Sequence, residues 1–249
     1  MIPENLSILR GRDFTVCEGI DNVCKKITMR QPTLGEIEEY GEDKYYSMIS
    51  VFVQHPFDMI AQLDSIHMDF TKVTSYQLFC VLAESADFGD TKILFNDLDF
   101  SNARTINNNG KFELHLSKNC VITENIYQDI SDYIRLIHRI PLPTFTKVSD
   151  EYTKQKMIEY AYEDWELAKH RKNKPKSILR TYVSRATNHP YFKYGINEVW
   201  DMKIYAFYDA IKSIDIIENS NHLYMGAYSG KFDMNKINKN EFNWLRETN

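Results

Sequence analysis

The side chains able to do covalent or metal chemistry are few and dispersed along these 249 residues. The four cysteines, Cys17, Cys24, Cys80 and Cys120, form no C-x-x-C pair, and the closest two stand seven positions apart with no histidine at ligand spacing. That pattern predicts reduced thiols and no zinc site. Asp97 with Asp99, and Glu36 with Glu39, are carboxylate pairs of the kind that can hold a cation, but such pairs alone specify nothing and read as solvated surface. The histidines are scattered; His115 fits the solvent side of a strand. Phosphate-cradling, dinucleotide, metalloprotease and nucleophile-elbow motifs are all absent, and nine glycines leave little material for a phosphate loop. The residues therefore point to no catalytic, cofactor or metal site, and a non-enzymatic role is expected.

Two surface features stand out instead. From Lys169 to Arg185 lie Lys169, Arg171, Lys172, Lys174, Lys176, Arg180 and Arg185 without one acidic residue between them. Three readings fit: a solvated helix end where cations complement the dipole and Pro175 stops the helix, a patch that docks on an acidic protein surface, or a grip on phosphates. The acidic stretch from Glu36 to Asp43 is a candidate partner for this cluster, within one molecule or between two. The second feature is aromatic density toward the C-terminus, from Tyr191, Phe192 and Tyr194 through Trp200, Tyr205, Phe207 and Tyr208 to Tyr224, Tyr228, Phe232, Phe242 and Trp244. Much of it reads as core and the remainder as protein-binding surface. Candidate protein-binding residues are Lys169, Arg171, Lys172, Lys174, Lys176, Trp200, Tyr205, Tyr208 and Trp244.

Helices must position these groups. Thr33 followed by Glu36 is a capping box, so a helix should start there and bury Leu34, Ile37, Tyr40, Tyr45, Met48, Ile49 and Phe52, with Gly41 kinking or splitting it. His55-Pro56 ends that pattern, a short helix fits 56–63, and a third begins at Ser75. The texture then changes. Ile93-Leu94-Phe95, Arg104-Thr105-Ile106 and the alternating stretch from Lys111 to Leu116 predict a small antiparallel sheet around 91–116, turned through Asn107-Asn108-Asn109-Gly110. Lys26 to Arg30 alternates as a short strand would. Thr123 should cap a strongly amphipathic helix with Ile126, Ile130, Tyr133, Ile134 and Ile137 on its apolar face. Pro141-Leu142-Pro143 is the best internal boundary. Beyond it helices are expected at 150–172, 177–186 and 197–217, with a short one at 240–245. The fold class is mainly α (α+β), with an N-terminal helical domain and sheet insert over 1–143 and an all-helical region over 144–249.

Composition sets the outer bounds. The chain is 43% hydrophobic, 26% charged and 13% aromatic, with mean hydropathy −0.47, which excludes a wholly disordered or collagen-like chain. A net charge of −5 and a pI near 5.8 lack the footprint of a dedicated nucleic-acid binder. The N-terminus carries no basic then apolar leader pattern and no apolar run suits a membrane span, so neither secretion nor membrane insertion is expected.

Several stretches look familiar: Gln31-Pro32-Thr33-Leu34-Gly35-Glu36-Ile37-Glu38-Glu39-Tyr40-Gly41-Glu42-Asp43-Lys44-Tyr45; Asn188-His189-Pro190-Tyr191-Phe192-Lys193-Tyr194; Ile196 to Phe207; and Tyr228 to Trp244. Together they resemble proteins of bacteriophages of Gram-positive hosts encoded in tail-gene clusters, similar to tail assembly chaperones. The resemblance implies a late viral morphogenesis protein of the host cell cytoplasm that needs no cofactor. Its partners would be the tape-measure protein and the tail-tube protein, with homo-oligomerisation open and neither membrane nor nucleic acid involved. The alternatives are a structural virion component, such as a connector or tail-completion protein, and a nucleic-acid-binding regulator.

Overall fold

A computed structural model describes residues 6–17, 26–95, 98–108, 111–144, 148–170, 177–230 and 236–246. After a one-turn helix α1 (Leu6–Leu9), β1 (Phe14–Cys17) pairs antiparallel with β2 (Ile27–Met29), Phe14 opposite Met29. Only the second of these strands is visible in the sequence pattern. β1 is short, and it is fixed from outside itself by Phe14 stacking on Tyr133 at 4.9 Å.

The predicted capping box forms. In α2 (Leu34–Tyr40) the Thr33 hydroxyl accepts from the Glu36 N–H at 3.1 Å, and the Glu36 carboxylate accepts from the Thr33 N–H at 2.7 Å. Gly41, at φ 99°, splits the helix as expected and starts α3 (Glu42–Val53). A left-handed φ there favours glycine, because a Cβ would strain the backbone. α3 buries Tyr45, Met48, Ile49 and Phe52. A 3-10 turn (Pro56–Asp58), α4 (Ile60–Ser65) and α5 (Ser75–Ser85) follow; α5 is capped by a second box, Thr74 with Gln77.

The sheet is placed slightly later than the sequence suggests. β3 (Arg104–Asn108), β4 (Lys111–Ser117) and β5 (Cys120–Ile122) form an antiparallel meander, with Thr105 opposite Leu114 and Leu114 opposite Ile122. The run Ile93-Leu94-Phe95 is not one of its strands. It leaves a 3-10 turn (Thr91–Ile93) and makes an isolated bridge from Phe95 to Met29, because Phe95 is drawn into the core. His115 is half-buried, faces opposite to the buried Leu114 and Leu116, and lies 3.2 Å from the Glu113 carboxylate.

α6 (Glu124–His138) carries the strongest amphipathic stripe and lies at the centre, packing on α3. Thr123 occupies its cap position without a side-chain hydrogen bond. Arg139 ends the helix in the left-handed region at φ 54°. α7 (Glu151–Lys169) packs on α4 around a small satellite cluster of Ile60, Leu63, Phe70, Leu78 and Ile158. Two polar ties pin it: Lys154 Nζ donates to Asp69 at 2.9 Å and the Tyr162 hydroxyl to Asp64 at 3.1 Å. α8 (Ile178–Thr187), a 3-10 turn (Val199–Asp201), α9 (Ile204–Tyr228) and a last 3-10 turn (Lys239–Phe242) complete the order.

α9 starts at Ile204 and not at 197, for a tertiary reason. Met202 and Lys203 are held extended against the segment before α2, with Leu34 N–H donating to Met202 O and Ile204 N–H to Pro32 O, both at 3.0 Å. The main core runs from Ile8 to Phe207 and draws on both sides of Pro141–Pro143. At its middle Phe52 is fully buried, its ring 5.3 to 5.7 Å from those of Phe79, Phe88, Phe95 and Phe100. Such aromatic pairs add to the stabilisation from area burial alone. No described helix is long and apolar enough to cross a membrane.

Candidate functional site

One residue of the acidic stretch, Glu42 at the start of α3, meets residues 177–179 within the basic cluster. The contact runs through backbone N–H groups and the Ser177 hydroxyl and, among the described residues, through none of the cluster's cations. The Glu42 carboxylate accepts from Ile178 N–H at 2.8 Å, from Leu179 N–H at 2.9 Å and from the Ser177 hydroxyl, while the Ser177 hydroxyl accepts from Arg180 N–H at 2.9 Å. The free N–H groups of an α-helix start are thus met by one side chain from 135 residues earlier and by a local cap. The carboxylate also sits where the helix dipole favours an anion. Glu42 thereby fastens α8 beside the α2–α3 break.

A second tie closes the other end. A Cβ on Gly35 would come within 3.2 Å of the Trp200 carbonyl oxygen, so the 199–201 turn rests directly on α2. Glu36, beside it, pairs with Arg30 and lies 4.0 Å from Lys203. Burial raises its carboxyl pKa, but the Thr33 N–H, Arg30 and Lys203 together outweigh that and hold it below its usual value. Glu36 is therefore committed to structure and not to a cation shared with Glu39.

Between these two ties lies a groove of about 610 Å3. Leu179 and Val183, spaced one turn apart on α8, form a buried floor; Trp200 and Ile196 form an apolar wall. Ile196 is 52% exposed. On the rim stand Glu38 from α2 and Arg180 from α8, and neither side chain has an ionic partner among the described residues. The volume falls within the range of roughly 300–1,000 Å3 typical of ligand pockets. Glu42 lines the groove too, but its carboxylate is taken up by the start of α8, so an apolar floor and wall with Glu38 and Arg180 as the uncommitted charges on the edge suit the apolar face of a helix better than a small polar molecule.

The residues singled out from sequence are distributed over several elements. Trp200 lines the groove. Tyr205 is buried against α6, where the Arg139 guanidinium lies 4.9 Å over its ring and donates to its hydroxyl at 3.2 Å; Arg139 also pairs with Asp209. Tyr208 is half-buried, with its hydroxyl 3.0 Å from that of Tyr46. Trp244 is 57% exposed on the C-terminal turn. Lys169 ends α7, 4.0 Å over the Trp165 ring and 2.6 Å from Glu166. Arg171, Lys172, Lys174 and Lys176 lie outside the described residues, as do Cys24, Asp97 and Phe232.

Glu38 belongs to the acidic stretch Glu36 to Asp43 and Arg180 to the basic cluster, and the fold places both on this groove. Leu179, Val183 and Ile196 are not among the candidates read from sequence; the signal for the first two lies in the apolar spacing of Leu179, Val183 and Ala186 on a Ser177-capped helix, and nothing local marks Ile196. Cys17, Cys80 and Cys120 are buried, and burial pushes the Cys80 thiol up to about 11. Asp99 accepts from Ser101 N–H within its own turn at 2.9 Å. Among the described residues no group of three histidine, cysteine or carboxylate side chains is placed to hold a metal ion.

No curated protein and no solved structure matches the chain. Residues 172–249, which carry α8, the groove wall, α9 and the C-terminal turn, match the model of a phage-associated domain family described as the YomV second domain.

Proposed function

We propose that this is a non-enzymatic tail assembly chaperone of a long-tailed phage. In this reading it acts in the host cell cytoplasm, holds a helical segment of the tape-measure protein, and helps recruit tail-tube subunits around it. The carrying observation is the groove between α2–α3 and α8, whose apolar floor and wall and Arg180 lie within the region similar to a phage-associated domain, while Glu38 comes from outside it. A client helix would present anchors at i, i+3 or i+4, and i+7 to Leu179, Val183, Ile196 and Trp200. Glu38 and Arg180 would set its direction, since rim charges contribute orientation more than affinity. Because Glu42 and Gly35 pre-form the groove, little ordering cost falls on the chaperone itself.

Co-expression with the tape-measure protein tests this. The full chain should raise the soluble yield of that protein, and Ile196→Glu, which puts a charge on an exposed groove residue, should abolish the gain while leaving the chain folded. An unchanged soluble yield with the wild-type chain sinks the chaperone reading. Mass spectrometry of purified particles separates the structural alternative, because a chaperone is absent from the finished tail and a connector or tail-completion protein is present stoichiometrically.

A further inference from the structure

The far end of α9 has a different character from the groove. From Asn219 to Gly230 the sequence holds no Asp, Glu, Lys or Arg. Tyr224, Met225 and Tyr228 share one side of the helix at i, i+1 and i+4 and are 40%, 69% and 88% exposed. The C-terminal turn adds Trp244 at 57% and Leu245 at 70%.

This surface stands on a well-secured base. Arg246 donates to the Glu241 carbonyl at 2.6 Å and pairs with its carboxylate at 3.0 Å. The buried Ser220 hydroxyl donates to the Glu241 carbonyl at 3.1 Å. Phe242 packs edge-on against Tyr224 at 5.2 Å, and Tyr224 stacks on Tyr228 at 6.4 Å. The polar groups behind the patch are satisfied while its apolar groups face water, an arrangement that marks an interaction surface.

We propose that this end of α9 pairs with the same surface of a second copy of the chain. Charge argues for that occupant. Two copies each carrying −5 repel, and the repulsion is least where the contact itself is neutral. The bordering Arg246–Glu241 pair carries no net charge, and the exposed Lys236 and Lys239 on the same segment leave the border mildly basic, which lessens the repulsion between two copies of an acidic chain. Area argues the same way. The exposed parts of the five side chains amount to about three whole ones, on the order of 600 Å2 per protomer. Two such faces bury about 1,200 Å2, the lower edge of the range for specific interfaces. A two-fold contact is self-complementary by construction, and Met225 against tyrosine or tryptophan rings supplies favourable sulfur–aromatic contacts.

Sedimentation velocity of the full chain over a concentration series is the test. A reversible dimer with a dissociation constant of roughly micromolar order is expected, as suits the area. The double variant Met225→Lys, Tyr228→Lys should weaken it by at least about 10-fold with the circular dichroism spectrum and Tm unchanged. Tyr152→Lys, on the exposed side of α7, and Ile196→Glu, in the groove, should leave the dimer intact; loss of the dimer in either one as large as in the double variant overturns the assignment. A wild-type chain that is monomeric throughout also overturns it, as does a monomer whose double variant loses tape-measure binding, which would give the patch to the client. The pairing does not depend on the chaperone reading, and the groove variant keeps the two failures apart.

Discussion

The region around Phe52 and the far end of α9 are both dense in aromatic residues, yet one is the driest part of the protein and the other among the wettest. Phe52, Phe79, Phe88, Phe95 and Phe100 come from four stretches of chain that converge, so each ring finds others on several sides. Among the described residues, Tyr224 rests on Phe242 of the C-terminal turn and on Tyr228, and Tyr228 and Trp244 remain largely exposed. The reason is length. α9 has 25 residues and extends about 37 Å at the α-helical rise, while its contacts with the main core fall in the first half, at Ile204, Tyr205, Phe207 and Ile214. Its last turns overshoot what the core can cover. Aromatic density therefore identifies sticky surface without saying whether the protein itself or a partner covers it.

The comparison is open to experiment, and Phe52→Ala should show the largest effect. Opening a hole among the four remaining rings should cost about 3–5 kcal/mol, read as a lowered urea midpoint. A loss below about 1 kcal/mol would mean that the cluster collapses around the vacancy or is not the packed centre.

Next in size is a pH effect at the junction of α3, α6 and α9. His138 is buried beside Tyr45, its Nε2 2.8 Å from the tyrosine hydroxyl and its Nδ1 2.7 Å from the Ile134 carbonyl. The carbonyl can only accept, so Nδ1 donates; in the neutral imidazole that burial favours, Nε2 is then left to accept from the Tyr45 hydroxyl. Burial lowers its pKa to about 4, against the hydrogen bond to Ile134, which raises it. The unfolded chain binds this proton near pH 6.5 and the folded chain only near 4. Stability is therefore full above about pH 6.5 and falls as pH drops through that window, by on the order of 3 kcal/mol at its lower end. Urea midpoints at pH 7 and pH 5 should differ, and His138→Gln should flatten the difference. Equal wild-type midpoints would show that the imidazole is not held neutral.

The smallest effect belongs to the other region. Tyr228→Ser should change monomer stability by no more than about 0.5 kcal/mol, measured at protein concentrations below any self-association, because the side chain is 88% exposed. A loss comparable to that of Phe52→Ala would place Tyr228 in a core and remove the contrast.

Much of the local structure was legible beforehand. Thr33 with Glu36, Gly41, the alternation from Lys111 to Leu116 and the isoleucine face of α6 each signal through neighbours within a few positions, and each forms where the pattern places it. β1, the Phe95 bridge to Met29 and the late start of α9 were not legible, because their causes are remote segments: Tyr133 for β1, Met29 for Phe95, and Pro32 to Leu34 for Met202 and Lys203. The candidate site divides the same way. Trp200, the amphipathic α8 and the acidic stretch that holds Glu38 could be read from sequence, whereas Ile196, and the placing of Glu38 and Arg180 on one groove, depend on Glu42 fastening α8 to α3.

The sequence by itself determined a mainly helical chain with a small antiparallel sheet, where most helices begin and which of their faces are apolar, since periodicity and capping act within a turn or two of the residues concerned. Only the tertiary structure decided which aromatic faces are covered, because burial depends on whether another element lies opposite. It also decided that Glu42 serves the backbone of α8, because a helix start accepts any carboxylate the fold brings to it, and proximity across 135 residues is written in no local pattern.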